Sequence, residues 1–566
     1  YDKSLMSPGG GVWPRSARSI PLSSEARTAL GIDATSLAPE ALLHAILLAP
    51  VDLFYNGGIG TYIKASTETH EQVKDRANDA IRVDGKTLRC KVVAEGGNLG
   101  ATQAGRIEFA MAGGAIFTDA IDNSAGVDCS DHEVNVKIWL DTEVNAGTLD
   151  ATRRNTMLTE ITDDIERLVL RDNTLQTHLL TRETQAQQDR TVQDAYAALI
   201  AELEADGVLS RELEQLPGVA ELARRQALGQ GLTAPELAVV IANVKNHYKA
   251  LLAKSPLIDE SWARSLLTPY FPPALVASRD PLDHPLANAI LATVLANEVV
   301  NRCGPLQVGV LARQFRVGST EVVCAWARAW AALNLAPHFE ALDTHALKVP
   351  VAISKDIDRR TRVLQQAVMA GVLSVPAEQR RASGSMDELT SLFADAAAVR
   401  TLVGHTDQVL AESVEALPED FVAAVRSLDA IAGMADFLFA ALSVPRPVGM
   451  SLTVFLQAGM QLRRQSGIDL LERALMQPSV SPAQDGLRSH ALQALRRAQQ
   501  RLLTQVLPLL AADSSGVIAD TIAGLHLAQA SADVGLEAAV LHAWSLADAV
   551  ADAVAGPVTG AVAQAA

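Results

Sequence analysis

The chain runs to 566 residues and carries 48 Lys and Arg against 65 Asp and Glu, a formal net charge of -17. That length is too great for one core and predicts about three or four domains. The acidic balance disfavours phosphate backbones and anionic lipid surfaces, so no nucleic-acid and no membrane partner is expected.

Tyr1 is followed by neither a basic segment nor the apolar run of a signal peptide, and reads as a start inside a longer protein. Up to residue 140, short β-rich runs alternate with helical patterns, which predicts βα units on a mostly parallel sheet. Pro39 in a first turn and Ala49-Pro50 as a stop predict a helix over 39–48. Val51 to Tyr55 follows as a compact apolar strand that ends in Asn56-Gly57-Gly58-Ile59-Gly60. A helix is expected over 67–80. Asp84-Gly85, between Ile81-Arg82-Val83 and Thr87 to Val93, predicts a hairpin, because Asp-Gly accepts the positive φ angles of a type I′ turn. The second of those strands runs into Glu95-Gly96-Gly97-Asn98.

Beyond residue 150, Ala and Leu dominate and apolar positions recur at helical spacing, so the rest reads as all-α. Thr233-Ala234-Pro235-Glu236 is a capping box ahead of one apolar face, and Ala287 to Val300 is a second clear helix. Arg359-Arg360 and Arg380-Arg381 are expected on solvated helix faces, and 376–386 as a loop. No internal repeat stands out. No 18-residue apolar run occurs, and His542, Asp548 and Asp552 break the Ala/Val-rich tail. The fold class is therefore α/β followed by all-α, divided as 1–145, 146–340 and 341–566. Cys90, Cys129, Cys303 and Cys324 form no CxxC pair, which fits reduced thiols of a cytoplasmic protein better than a disulfide framework or a zinc cage.

Three segments at expected strand ends hold the candidate chemistry, since ligands of open α/β sheets bind beyond the carboxyl ends of the strands. In Asn56-Gly57-Gly58-Ile59-Gly60-Thr61 the glycines would let backbone approach a cofactor, although a tight turn explains them as well. Asn98 offers an amide donor and acceptor to a nicotinamide or ribose, or else tolerates a left-handed turn. Asp122 to Glu133 is the densest polar stretch. It fails as an EF-hand, because Val127 replaces the turn glycine, and Asp131-His132-Glu133 lacks the i, i+4 spacing of helical zinc ligands, so no metal is expected. Ser130 to Glu133 reads as a capping box opening a helix, where free N–H groups would also welcome a carboxylate.

Together these segments resemble the glutamate dehydrogenase family, whose nucleotide domain carries a Glu-Gly-Ala-Asn turn, then Asn-Ala-Gly-Gly-Val and Ser-x-x-Glu. The matches are Glu95-Gly96-Gly97-Asn98, Asn123-Ser124-Ala125-Gly126-Val127 and Ser130 to Glu133. Gly9-Gly10-Gly11-Val12-Trp13-Pro14-Arg15-Ser16, Asn56 to Thr61, Asp119 to Glu133, Pro235 to Val239 and Ala296 to Arg302 look like the large NAD-specific bacterial branch. The resemblance is strong to residue 335 and faint beyond. It implies a C-terminal fragment of such an enzyme, with residues 1–145 the second half of a Rossmann-like NAD-binding domain. The implied reaction is oxidative deamination of L-glutamate to 2-oxoglutarate and ammonia with NADH formation. By resemblance Asn56, Gly57, Gly58 and Asn98 contact NAD, Asn123 holds the nicotinamide carboxamide, and Ser130 binds the substrate's side-chain carboxylate. The catalytic Lys and Asp, the substrate lysines and the Gly-rich dinucleotide fingerprint are expected upstream of Tyr1, so no catalytic residue is named and the fragment alone is expected to be inactive. A homo-oligomer is expected. Two other readings stay open: an amino-acid dehydrogenase for another substrate, and an assembly or regulatory role for the helical region.

Overall fold

The computed structural model describes residues 3–375, 389–393, 417–432, 434–442 and 451–465, with isolated positions 491, 495, 499 and 503 beyond them. Arg380-Arg381 and the whole of the expected 376–386 loop lie outside these residues. The described part is mostly helical with small, chiefly parallel sheets.

Strands β1 (Ile20–Pro21) and β2 (Ser36–Leu37) pair antiparallel around α1 (Ser24–Leu30), whose first turn Ser23 caps by accepting the Ala26 N–H at 3.0 Å. Pro39 opens α2 (Pro39–Leu47), as expected of a residue whose φ is preset for a first turn. There follow β3 (Leu53–Asn56), β4 (Ile63–Lys64), α3 (His70–Val73), β5 (Val83–Asp84), β6 (Val92–Glu95), α4 (Gln103–Met111) and β7 (Ala115–Ile116). The main sheet is parallel in the order β3-β6-β7, with Asn56 level with Glu95 and Val93 level with Ile116; β4 pairs with β5, also parallel. Alternation along the strands sends Phe54, Val93 and Ile116 into a core with Ile63, Val83, Ala101 and Phe109. The opposite face is bare: Leu53, Tyr55 and Val92 are 54%, 63% and 40% exposed.

Two expectations fail here. Residues 81–93 form no hairpin: β5 joins β4, Gly85 to Thr87 is a turn of 3-10 helix, and β6 joins the other sheet. Gly85 serves close packing, since a Cβ there would stand 2.5 Å from the Gly105 carbonyl oxygen of α4. The helix expected over 67–80 is cut at Lys74, which takes φ 60°. Asp75 then turns its carboxylate back to the Thr61 N–H at 2.8 Å and the Asn78 amide at 2.7 Å, bonds that compete with helix continuation.

The chain continues as α5 (Asp119–Asp122), α6 (Ser124–Asn145), α7 (Ala151–Glu160), α8 (Thr162–Ala186), α9 (Arg190–Ala205), α10 (Val219–Ala227), α11 (Ala234–Leu252), α12 (Ala263–Leu267), α13 (Pro273–Val276), α14 (Ala287–Cys303), α15 (Gln307–Phe315), α16 (Ser319–Ala332), α17 (Ala336–His345), α18 (Val351–Ser374), α19 (Glu419–Ala432), α20 (Ala435–Leu442) and α21 (Leu452–Gln465). Two compact units result, one of residues 1–258 with 267–306, the other of 259–266 with 307 onward. In the first, α11 begins at the expected capping box, where the buried Glu236 accepts the Thr233 N–H at 2.7 Å and the Arg225 guanidinium at 2.9 Å. Helices α8 and α14 are joined through Glu298, which takes Arg171 at 2.5 Å and Arg302 at 2.6 Å. Burial alone would raise the Glu298 pKa, but the two guanidiniums overcome it and hold the group at about 2. Burial of Lys245 on α11 works the other way and lowers it to about 8, against the pull of Asp172 and Glu298.

In the second unit the buried Trp326 of α16 stacks on Trp330 at 4.7 Å and donates its indole N–H to Gln365 of α18 at 2.9 Å. Arg359 is solvated, whereas Arg360 reaches Asp429 of α19 at 2.8 Å. Among the described residues no helix is long and apolar enough to cross a membrane.

Candidate sheet-end site

Parallel pairing of β3 with β6 sets Asn56 and Glu95 side by side at the carboxyl ends of their strands, and the two following turns pack on each other. Gly97 makes this possible, because a Cβ there would stand 2.5 Å from the Gly58 carbonyl oxygen. Thr61 ties the turns by donating its hydroxyl to the Leu99 carbonyl at 2.8 Å. Asn56 is buried, with its side-chain oxygen 3.4 Å from the Gly58 N–H and its amide nitrogen without a hydrogen-bond partner. Gly57 and Gly58 are exposed, and nothing lies within 4 Å of where a Cβ would stand at Gly58.

Asn98 is exposed at the tip of the second turn. The left-handed residue is its neighbour Leu99, at φ 56°, so the alternative reading of Asn98 as the left-handed position is corrected. Asn123 stands at the junction of α5 and α6 and donates its amide to the Asn98 side-chain oxygen at 3.0 Å. The junction is pinned from α8, where Asn173 donates to the Ile121 carbonyl at 2.9 Å and to the Ser124 hydroxyl at 2.8 Å.

Beneath this pair lies a buried ionic cluster. Glu95 is wholly buried and forks onto Arg106 of α4 at 2.7 and 2.9 Å. It also accepts the Ala101 N–H at 2.9 Å. Arg106 reaches Asp119 at 3.1 Å, and Asp119 accepts the Leu99 N–H at 2.8 Å. Asp122 accepts the Glu95 N–H at 2.9 Å; its burial pushes its carboxyl up to about 6 despite that bond. Both edges of the Asn98 turn are thus fixed by charge-assisted bonds. The readable signal is strand parity: Glu95 shares the inward phase of Val93, and a buried carboxylate requires a cation.

Ser130 departs from expectation. Helix α6 begins at Ser124, so Ser130 caps nothing; it is exposed within the helix and donates its hydroxyl to the Val127 carbonyl at 2.6 Å, an ordinary back-bond to the preceding turn. Two helical turns separate it from Asn123, about 10 Å along the axis and on nearly the same face. The site residues expected from sequence therefore fall into a tight group, Asn56, Gly58, Asn98 and Asn123, with Gly57 beside it and Ser130 further along α6.

Comparison with known proteins bears on this arrangement. A family model described as "Bacterial NAD-glutamate dehydrogenase, catalytic domain" matches residues 1–183, and one described as "Glutamate dehydrogenase, C-terminal" matches residues 229–532. The "NAD-specific glutamate dehydrogenase" of Mycobacterium tuberculosis is 43% identical over 372 residues, covering 64% of this chain and 23% of that protein. Proteins of the same description from Pseudomonas aeruginosa and Halomonas elongata are 44% and 41% identical, over 62% of this chain and 22% of their own length in each case. The chain thus spans under a quarter of the curated relatives it matches.

Proposed function

We infer, from the premise that this chain belongs to the bacterial NAD-glutamate dehydrogenase family, that its sheet end forms one wall of an active site for NAD-linked oxidative deamination of L-glutamate to 2-oxoglutarate and ammonia. Residues 1–145 are read as the second half of a Rossmann-like domain, with 146–340 and 341–566 as helical domains. The bare face of the β3-β6-β7 sheet supports that reading, since parallel sheets are normally covered on both faces. The protein is taken to be cytoplasmic and homo-oligomeric.

One observation carries the assignment of the cofactor wall: the Asn98–Asn123 pair beyond the strand ends. When one amide donates to the other, the pair keeps an N–H group and a carbonyl oxygen to spare, whichever way each amide is turned. A nicotinamide carboxamide presents the complementary oxygen and N–H₂. Exposed Gly57 and Gly58, with open space at Gly58, admit a ribose or phosphate to the backbone. Ser130, about 10 Å along α6 from Asn123, then meets the far carboxylate of a bound dicarboxylate through its hydroxyl. NAD supplies the hydride acceptor; the residues of this chain orient it and hold the substrate's tail. No residue of this chain is assigned a proton-transfer role.

The test follows NADH formation from L-glutamate by absorbance in a chain extended to the full length of its relatives. Asn123→Ala is expected to raise the KM for NAD about tenfold or more, the loss of one or two carboxamide hydrogen bonds. Ser130→Val is expected to raise the KM for glutamate while leaving NAD affinity alone. Unchanged kinetics in both variants overturns the assignment, and turnover of an apolar amino acid in place of glutamate by the unsubstituted enzyme overturns the substrate.

A further inference from the structure

We propose that Asp128, His132 and Asp172 form a binding site for one divalent transition-metal cation of the zinc or manganese kind, joining α6 to α8. The segment Asp131-His132-Glu133 lacks ligand spacing, but His132 and Asp128 stand at i and i-4 on one face of α6, the separation that brings two ligands together on a helix. Asp172 comes from α8, which packs against α6. One ligand atom from each residue lies within 4.8 Å of the others, and His132 Nε2 is 3.9 Å from Asp128 Oδ1. Ligands held at about 2.1 Å from a metal stand about 3 to 4 Å apart, so closure requires side-chain rotations worth about 1 Å and no helix movement.

The imidazole is the second, independent pointer. His132 is 2% exposed, yet neither ring nitrogen meets hydrogen-bond geometry with any partner, and the Asp128 carboxylate oxygen stands 3.9 Å from Nε2, beyond hydrogen-bond reach. Buried polar groups are almost always satisfied, and a ring nitrogen turned toward two carboxylates is satisfied by a shared cation. Tyr270 holds the ring in place by stacking at 4.4 Å, its own hydroxyl fixed by the Asn135 amide at 2.7 Å. The two carboxylates are part-exposed, which gives the ion a path from solvent and leaves coordination positions to water.

The donor set selects the ion. One imidazole with two carboxylate oxygens suits zinc, manganese or iron(II), whereas calcium and magnesium favour all-oxygen shells and copper(I) favours sulfur. Arg171 donates to one Asp172 oxygen at 3.0 Å, which leaves the second oxygen for the metal. Lys245 also faces Asp172, so the site takes its ion against nearby positive charge, and micromolar rather than nanomolar affinity is expected.

The experiment uses the tag-free chain carrying Cys129→Ser, which removes the exposed thiol beside Asp128. Co²⁺ is titrated in the visible d–d region, and Zn²⁺ by competition with a chromophoric chelator. One ion per chain is expected, with affinity reduced about tenfold or more in His132→Gln, Asp128→Asn and Asp172→Asn, and held within about twofold in Asp131→Asn. Zn²⁺ is also expected to raise the thermal midpoint of the parent but not of Asp172→Asn, whose folding is checked by circular dichroism. Absence of stoichiometric binding to the folded parent overturns the proposal. So does equal affinity in the parent and the folded Asp128→Asn and Asp172→Asn chains.

Discussion

Arg106 holds more of the sheet end together than any residue that touches solvent there. Its guanidinium spans the buried Glu95 and Asp119, and those carboxylates fix the N–H groups of Ala101 and Leu99 on the far side of the Asn98 turn. Removing one partner of a buried pair leaves an uncompensated charge, whereas removing both leaves mainly a packing problem. Arg106→Met is therefore expected to cost about 3 to 5 kcal/mol in a denaturant titration, and the double change Glu95→Leu with Arg106→Met distinctly less. Equal losses in the single and double variants would show that the ion pair is not what the turn depends on. Asn98 could be picked out from sequence as an amide that follows a strand, and Asn123 through the motif it shares with the glutamate dehydrogenase family. Arg106 could not, because an arginine on a helix is most often solvated, and only the parity of Glu95 hints at its partner.

Among the elements, the helices were the most legible. Pro39 and the Thr233-Glu236 box start α2 and α11 where local chemistry places them, and the apolar run from Ala287 carries α14 a turn beyond its expected end. Where a long-range contact competes with local preference, local reading fails. Gly85 looks like a turn residue but yields to the backbone of α4, and Ser130 looks like a cap but is absorbed into a helix whose start Asn173 holds. The joint between α8 and α14 carries its own pH signature. Glu298 titrates at about 2 in the fold against an ordinary value of 4.5, so the unfolded chain binds the extra proton between those values. Its contribution is complete above pH 4.5 and is lost as pH falls toward 2. Glu298→Gln should be the less stable at neutral pH, and the gap from the parent should narrow across that window in urea titrations. A gap independent of pH would mean that Arg171 and Arg302 do not hold the carboxylate down.

At the scale of the molecule, the bare face of the main sheet sets the behaviour of the isolated chain. Leu53, Tyr55 and Val92 form an apolar strip on strands whose other face is packed, and among the described residues β3 is an edge strand. Such a surface invites association. Light scattering on the chain is expected to show concentration-dependent aggregates that shrink markedly in the Leu53→Lys, Tyr55→Lys double variant, while circular dichroism stays the same; aggregates of unchanged size would place the sticky surface elsewhere. The alternation of short β-rich runs with helical patterns foretold a parallel sheet followed by helices, but not which sheet face would be bare, since Leu53 and Tyr55 are large, mainly apolar side chains like their half-buried neighbour Phe54. The parallel register also has a consequence in time. Helices close on neighbours three or four residues away, but Asn56 meets Glu95 only after the whole of 57–94 has been gathered in, so the loop is closed before the strand contacts repay it. The turn that carries Asn98 is accordingly a later feature than the first turns of the single helices beside it, whose hydrogen bonds are all local.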